Sequence, residues 1–95
     1  MGDGFKALAD PTRRRILELL AQNELTAGEI AAQFDMTKPS VSHHLAILKS
    51  AGLVQDERRG QNLVYNVNMT VFQELMMKWF YDLGLMQGGN HNEKE

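Results

Sequence analysis

The sequence predicts a mainly α-helical domain with a small β-hairpin, arranged as a winged helix-turn-helix of about five helices and a two-stranded wing. Three observations predict it. A capped helix (25–34), a three-residue connector and a second helix that opens on KPSVSHHL follow one another closely. Two strand-like runs, LVQDERR (53–59) and NLVYNVN (62–68), then meet at Gly60-Gln61, a hairpin signal with a basic tip. A long closing helix is apolar on more than one side, so more than one surface must cover it.

The elements follow in order. FKALAD (5–10) reads as a short helix with Phe5 and Leu8 on one side. Asp10-Pro11 supplies an N-cap and a first-turn proline for PTRRRILELLAQN, whose Ile16, Leu17, Leu19 and Leu20 form a broad apolar face. Arg14 points away from that face. Arg13 lies nearer its edge, which suits a structural ion pair or cap contact. In LTAGEIAAQF, Thr26 and Glu29 make a capping box, and Leu25 with Ile30 suits a hydrophobic staple. Thr37 caps the next helix (37–51), and Pro39 is harmless in its first turn. Val41, His44, Leu45 and Leu48 form its inner stripe, and Gly52 ends it. Thr70 and Gln73 offer a second capping box for TVFQELMMKWFYDLGL, with Phe72, Leu75, Met76, Trp79 and Leu83 on its main face and Met77 and Tyr81 on the other.

Size and composition set limits. Ninety-five residues at 43% hydrophobic make one domain, residues 1–87, followed by a polar tail, 88–95, expected to be disordered. A chain of this size buries only about 60–65% of its unfolded surface, so pairing with a second chain would add burial. The absence of cysteine excludes disulfides, thiolate switches and thiolate metal sites. No apolar run approaches the roughly 20 residues that cross a bilayer, and MGDGFKALAD lacks a signal-peptide core. No membrane insertion is expected, and a cytoplasmic location is. No nucleophile–base constellation or phosphate loop points to an enzyme.

Charge locates a binding face. The net charge is −2 and the isoelectric point about 5.9, which does not suggest a nucleic-acid binder. Yet residues 36–60 carry Lys38, Lys49, Arg58 and Arg59 against Asp56 and Glu57, while the segments on either side are net negative. The outer face of helix 37–51 presents Ser40, Ser42, His43, Ala46 and Lys49 rather than long charged side chains. Small hydroxyls allow close approach to base edges, and His43 can donate to a base or a phosphate. Thr37 and Lys38 lie at the helix N-terminus, where free N–H groups favour a phosphate. Arg58, Arg59 and Gln61 at the wing can reach the DNA backbone or minor groove. The bland alternatives are a solvated helix face and a solubilising hairpin tip. His44, on the inner stripe, reads as a hydrogen-bonded packing histidine. In the winged arrangement the second helix of the pair enters the DNA major groove.

The blocks ADPTRRRILELL, LTAGEIAAQF, KPSVSHHLAILKSAGLV and RRGQNLVYNVN, in that order and spacing over residues 4–80, resemble the ArsR/SmtB-type bacterial transcriptional repressors. The resemblance is strongest to the SdpR-like branch, which also carries a KPS-S-HHL helix. It implies a homodimer built through the first and last helices, with Phe5, Leu8, Phe72, Leu75, Met76, Trp79, Phe80 and Leu83 at the interface. It also implies double-stranded DNA as partner, in the form of an inverted-repeat operator. The metal sensors of that family use thiolates in the first helix of the pair, or Asp, His and Glu along the last helix. Here TAGEIAAQF and VFQELMMKWFYDL hold neither cysteine nor histidine, so no metal or cofactor is expected. His43 and His44 point about 100° apart, and His91 is in the tail. A protein partner that relieves repression is then an open route to induction. The competing reading is a winged-helix protein-interaction module that uses the apolar last helix.

Overall fold

A computed structural model describes residues 2–85. The elements run α1 (Gly2–Leu8), α2 (Pro11–Gln22), β1 (Leu25–Thr26), α3 (Ala27–Phe34), α4 (Lys38–Ser50), β2 (Val54–Arg59), β3 (Asn62–Val67) and α5 (Met69–Asp82). This is the winged helix-turn-helix expected, with α3 and α4 as the helix pair and β2–β3 as the wing. The tail 88–95 and His91 lie outside the described residues. Among those residues no helix is long and apolar enough to cross a membrane.

Local signals place most boundaries. Thr26 and Glu29 close the capping box in both directions: Glu29 N–H donates to Thr26 Oγ1 at 3.1 Å, and Thr26 N–H to Glu29 Oε1 at 2.8 Å. Thr37 Oγ1 accepts from Ser40 N–H at 3.3 Å, and proline occupies the first turn of α4. Gly52, at φ +80°, ends α4, and Leu53 N–H donates back to Leu48 O at 2.9 Å, the αL termination of a helix.

Four features depart from the sequence reading. The first helix starts earlier, at Gly2. Asp10 stands at the N-cap of α2 without a capping hydrogen bond, because its carboxylate turns toward α4 instead. The last helix is capped by Asn68, whose Oδ1 accepts from Val71 N–H at 3.3 Å, and not by the Thr70/Gln73 box. The sheet has three strands in the order β1-β3-β2, because Leu25–Thr26 adds to the wing opposite Tyr65 and Val64. Leu25 and Thr26 thus do double duty: they pair with β3 and lead straight into the capping box.

The core gathers Ile16, Leu17 and Leu20 of α2, Ile30 of α3, Val41, Leu45 and Leu48 of α4, and Leu53 and Val54 at the start of the wing. Along β2 and β3, Val54, Asp56, Arg58, Leu63, Tyr65 and Val67 share one sheet face, fixed by the pairs Val54↔Val67, Asp56↔Tyr65 and Arg58↔Leu63. That face looks toward the helices, since Val54 is buried and Tyr65 and Val67 pack on the core. Gln55, Glu57 and Arg59 lie on the outer face.

Candidate nucleic-acid interface

The inner stripe of α4 fixes its outer face. With Val41, Leu45 and Leu48 buried, helical geometry turns Thr37, Lys38, Ser40, Ser42, His43, Ala46 and Lys49 to solvent, and all are exposed. Pro39, in the first turn, has no N–H to leave unsatisfied. The free N–H groups of the first turn, with Lys38 beside them, make an anion-favouring end.

Behind this face, α4 is held by polar contacts from α2. Arg13 donates through Nε to Ala7 O at 2.7 Å and through Nη2 to Lys6 O at 3.2 Å, at the C-terminal end of α1. Its Nη1 stands 3.4 Å from His44 Nδ1. A guanidinium only donates, so this contact requires Nδ1 to accept. Asp10 Oδ2, 3.4 Å from the same nitrogen and 3.8 Å from Arg13 Nη1, is buried and makes no hydrogen bond. His44 is thus half-buried in an ionic cluster joining α1, α2 and α4, the packing role expected of it. Arg14 adds a bond from Nη1 to Leu8 O at 2.7 Å.

The basic side chains near the wing divide into two groups. Lys49 Nζ donates to Asp56 Oδ2 at 2.7 Å, and this hydrogen bond, with the carboxylate's charge, raises the ammonium's pKa above its ordinary 10.5. Arg59 is held more firmly. Nη1 and Nη2 donate to the two carboxylate oxygens of Glu24 at 2.7 and 3.0 Å, and Nη2 also to Glu57 Oε1 at 3.0 Å. The hydrogen bonds to Glu24 and Glu57 push its pKa up. Sequence places Arg59 next to the hairpin tip, but its guanidinium folds back over the outer face of the sheet toward Glu24, which precedes β1. Arg58 and Lys38 are exposed cations with no ion pair among the described residues. Gln61 is exposed in the turn, next to Gly60 at φ +63°.

At the opposite end, α1 crosses α5. Phe5 meets Trp79 edge-on with ring centroids 6.3 Å apart. A Cβ on Gly4 would stand 3.0 Å from both methyls of Leu75, so the glycine permits close approach. No residue of α5 is buried: Phe72, Leu75 and Met76 are half-covered, while Trp79, Phe80 and Leu83 are 47%, 39% and 57% exposed. A groove of about 780 Å³ opens beside them, lined by Phe5, Leu8, Leu17, Phe72, Met76 and Trp79. Among the described residues, no three His, Cys, Asp or Glu side chains gather as a metal-ligand set.

Comparison with known proteins decides what this scaffold is. The chain is 53% identical to the transcriptional repressor SdpR of Bacillus subtilis (strain 168) over 74 residues, covering 78% of this chain and 82% of SdpR. The profile of the bacterial regulatory proteins of the arsR family matches residues 10–56. The chain belongs to the ArsR family. It is a transcriptional regulator with a winged helix-turn-helix DNA-binding fold, and not an enzyme.

Two solved structures agree with that placement. A crystal structure of an ArsR family transcriptional regulator superposes with a TM-score of 0.77 at 29% identity, covering 90% of this chain and 89% of that one. The solution structure of a homodimeric winged helix-turn-helix DNA-binding domain from Mycobacterium bovis, described as a possible ArsR-family regulator, gives a TM-score of 0.73 at 32% identity, over 87% and 78% of the two chains. The ArsR profile runs from the N-cap of α2 to Asp56. It therefore spans Arg13, the whole helix pair and the start of the wing, but not α1, α5 or Arg58–Gln61. Sequence reasoning missed Asp56 as the partner of Lys49 and, from farther along the chain, Glu24. Its acidic side chain preceding a capping box gave no sign that a wing arginine would reach it.

Proposed function

We propose that this ArsR-family regulator is a cytoplasmic repressor that binds an inverted-repeat operator as a homodimer. The outer face of α4 enters the major groove, with Ser40, Ser42 and His43 toward the bases and Thr37 and Lys38 toward a phosphate. The wing, through Arg58, Arg59 and Gln61, lies along the neighbouring backbone, and Lys49 flanks the helix. Two protomers join through α1 and α5, using Phe5, Leu8, Phe72, Leu75, Met76, Trp79, Phe80 and Leu83.

The observation that carries the reading is the outer face of α4. Ser40, Ser42 and His43 are exposed, and among the described residues their side chains make no hydrogen bond or ion pair, whereas a merely solvated helix would carry Glu and Lys there. The half-covered α5 supports the dimer, because a helix with this much exposed apolar surface is stabilised by a second copy. The repressor named SdpR, the relative described above, supports the sign of regulation. Met77, exposed on the other side of α5 from the dimer residues, leaves room for a protein partner that releases the repressor.

The test is selection of binding sites from randomised double-stranded DNA at two salt concentrations. The expected product is an inverted repeat with half-sites about one helical turn apart, bound less tightly as salt rises. His43→Ala should relax base preference at one position of each half-site and leave the melting temperature nearly unchanged. Absence of any enriched sequence at either salt would sink the reading and favour a protein-interaction module.

A further inference from the structure

Arg59 is one of two exposed arginines of the wing, yet both ends of its guanidinium fork are occupied. Glu24 takes it in the two-point geometry that a phosphate would use, and Glu57 adds a third bond. The two partners come from separate parts of the chain. Glu57 is two residues back on β2, on the same outer face, and Glu24 lies 35 residues away, before β1. The third strand makes this meeting possible. With β1 paired to β3 at Thr26↔Val64, the chain just before β1 is brought alongside the outer face on which Arg59 lies. Arg58, the next residue, has no such company among the described residues. It projects to the other sheet face, opposite Leu63.

We propose that Glu24 and Glu57 form a carboxylate brake that occupies Arg59 in the free protein and limits its affinity for DNA of any sequence. The proposal rests on the reading that the wing contacts the DNA backbone. To bind a phosphate, Arg59 must leave its carboxylates, which then face the DNA as uncompensated negative charges. The freed carboxylates also attract cations, which offsets part of the counterion release that drives binding. The brake sets absolute affinity and salt dependence, and leaves base preference to α4.

The opposite role is that Glu24 orients Arg59 for the phosphate. It predicts the opposite sign, so a single comparison separates the two. Glu24→Gln/Glu57→Gln keeps both shapes and removes both charges. Titration of the full-length protein with a random-sequence duplex, by fluorescence anisotropy across a salt series, should show affinity raised about three- to ten-fold. The slope of log K against log salt should steepen by up to about 0.9 for the phosphate Arg59 gains. Arg59→Ala in the otherwise unchanged protein should bind more weakly. In the Arg59→Ala background the two Glu→Gln changes should gain clearly less, since only the repulsion between two unpaired carboxylates and the DNA is left to remove. Circular dichroism confirms that each variant is folded.

Unchanged or weaker binding by the Glu→Gln protein would overturn the brake. So would an equal gain with and without Arg59, which marks general charge repulsion. If Arg59→Ala alone binds like the unmodified protein, the reading of Arg59 as a DNA contact fails, and the brake fails with it. A loss in Arg59→Ala without a gain from Glu→Gln would retain the DNA contact and reject only the brake.

Discussion

Arg13→Leu is expected to lower stability more than any change on the outer face of α4. The side chain is only 15% exposed and donates to the carbonyls of Ala7 and Lys6, both at the C-terminal end of α1. The 2.7 Å bond to Ala7 O is partly buried, so its loss costs about 1.5–3 kcal/mol, the range for a hydrogen bond to a charged group. The bond to Lys6 O is exposed and adds little. Removing a cation from the end of a helix costs about 0.3–1 kcal/mol more, and the new leucine recovers part of this by burial. The net loss is about 2–3 kcal/mol, which for a domain of this size lowers the melting temperature by about 10–20 °C. Thermal unfolding followed by circular dichroism measures it, at one fixed protein concentration because pairing of chains shifts apparent stability. Arg13→Lys should fall between the two, since an ammonium keeps the charge but not the fork. A melting temperature for Arg13→Leu within about 2 °C of the unmodified protein would refute the claim that this arginine fastens α1 to α2.

Two further outcomes follow from local geometry. Thr26→Ala removes one arm of the capping box on α3 and should cost about 1 kcal/mol, seen as a fall of about 4–8 °C in melting temperature. Gly52→Ala should cost about 1–2 kcal/mol because its φ of +80° disfavours any side chain. The added Cβ would meet Val71 Cγ1 at an ordinary 3.7 Å, so a change in denaturant midpoint at constant slope is expected, and a midpoint that stays put would rule out backbone strain there.

The sequence by itself determined whatever depends on near neighbours in the chain. The 3.6-residue period put Val41, Leu45 and Leu48 inward and thereby exposed Ser42 and His43 on α4. Thr26 and Glu29 announced the start of α3, and Gly52 the end of α4. The alternation of Leu63, Tyr65 and Val67 about Gly60-Gln61 announced the hairpin. Close rivals for one local role were harder to separate. Asn68 and Thr70 both suit an N-cap, and only the backbone path out of β3 chose Asn68. A two-residue strand is too short to show a period, so Leu25–Thr26 read only as a staple and a cap until β3 came alongside. The fates of the charges were decided entirely by tertiary structure. The count of basic residues in 36–60 suggested a positive patch, but packing set Lys49 against Asp56 and brought Glu24 to Arg59 from a distant part of the chain. Long flexible side chains take the partners that the fold brings within reach, and no local pattern specifies which partners those are.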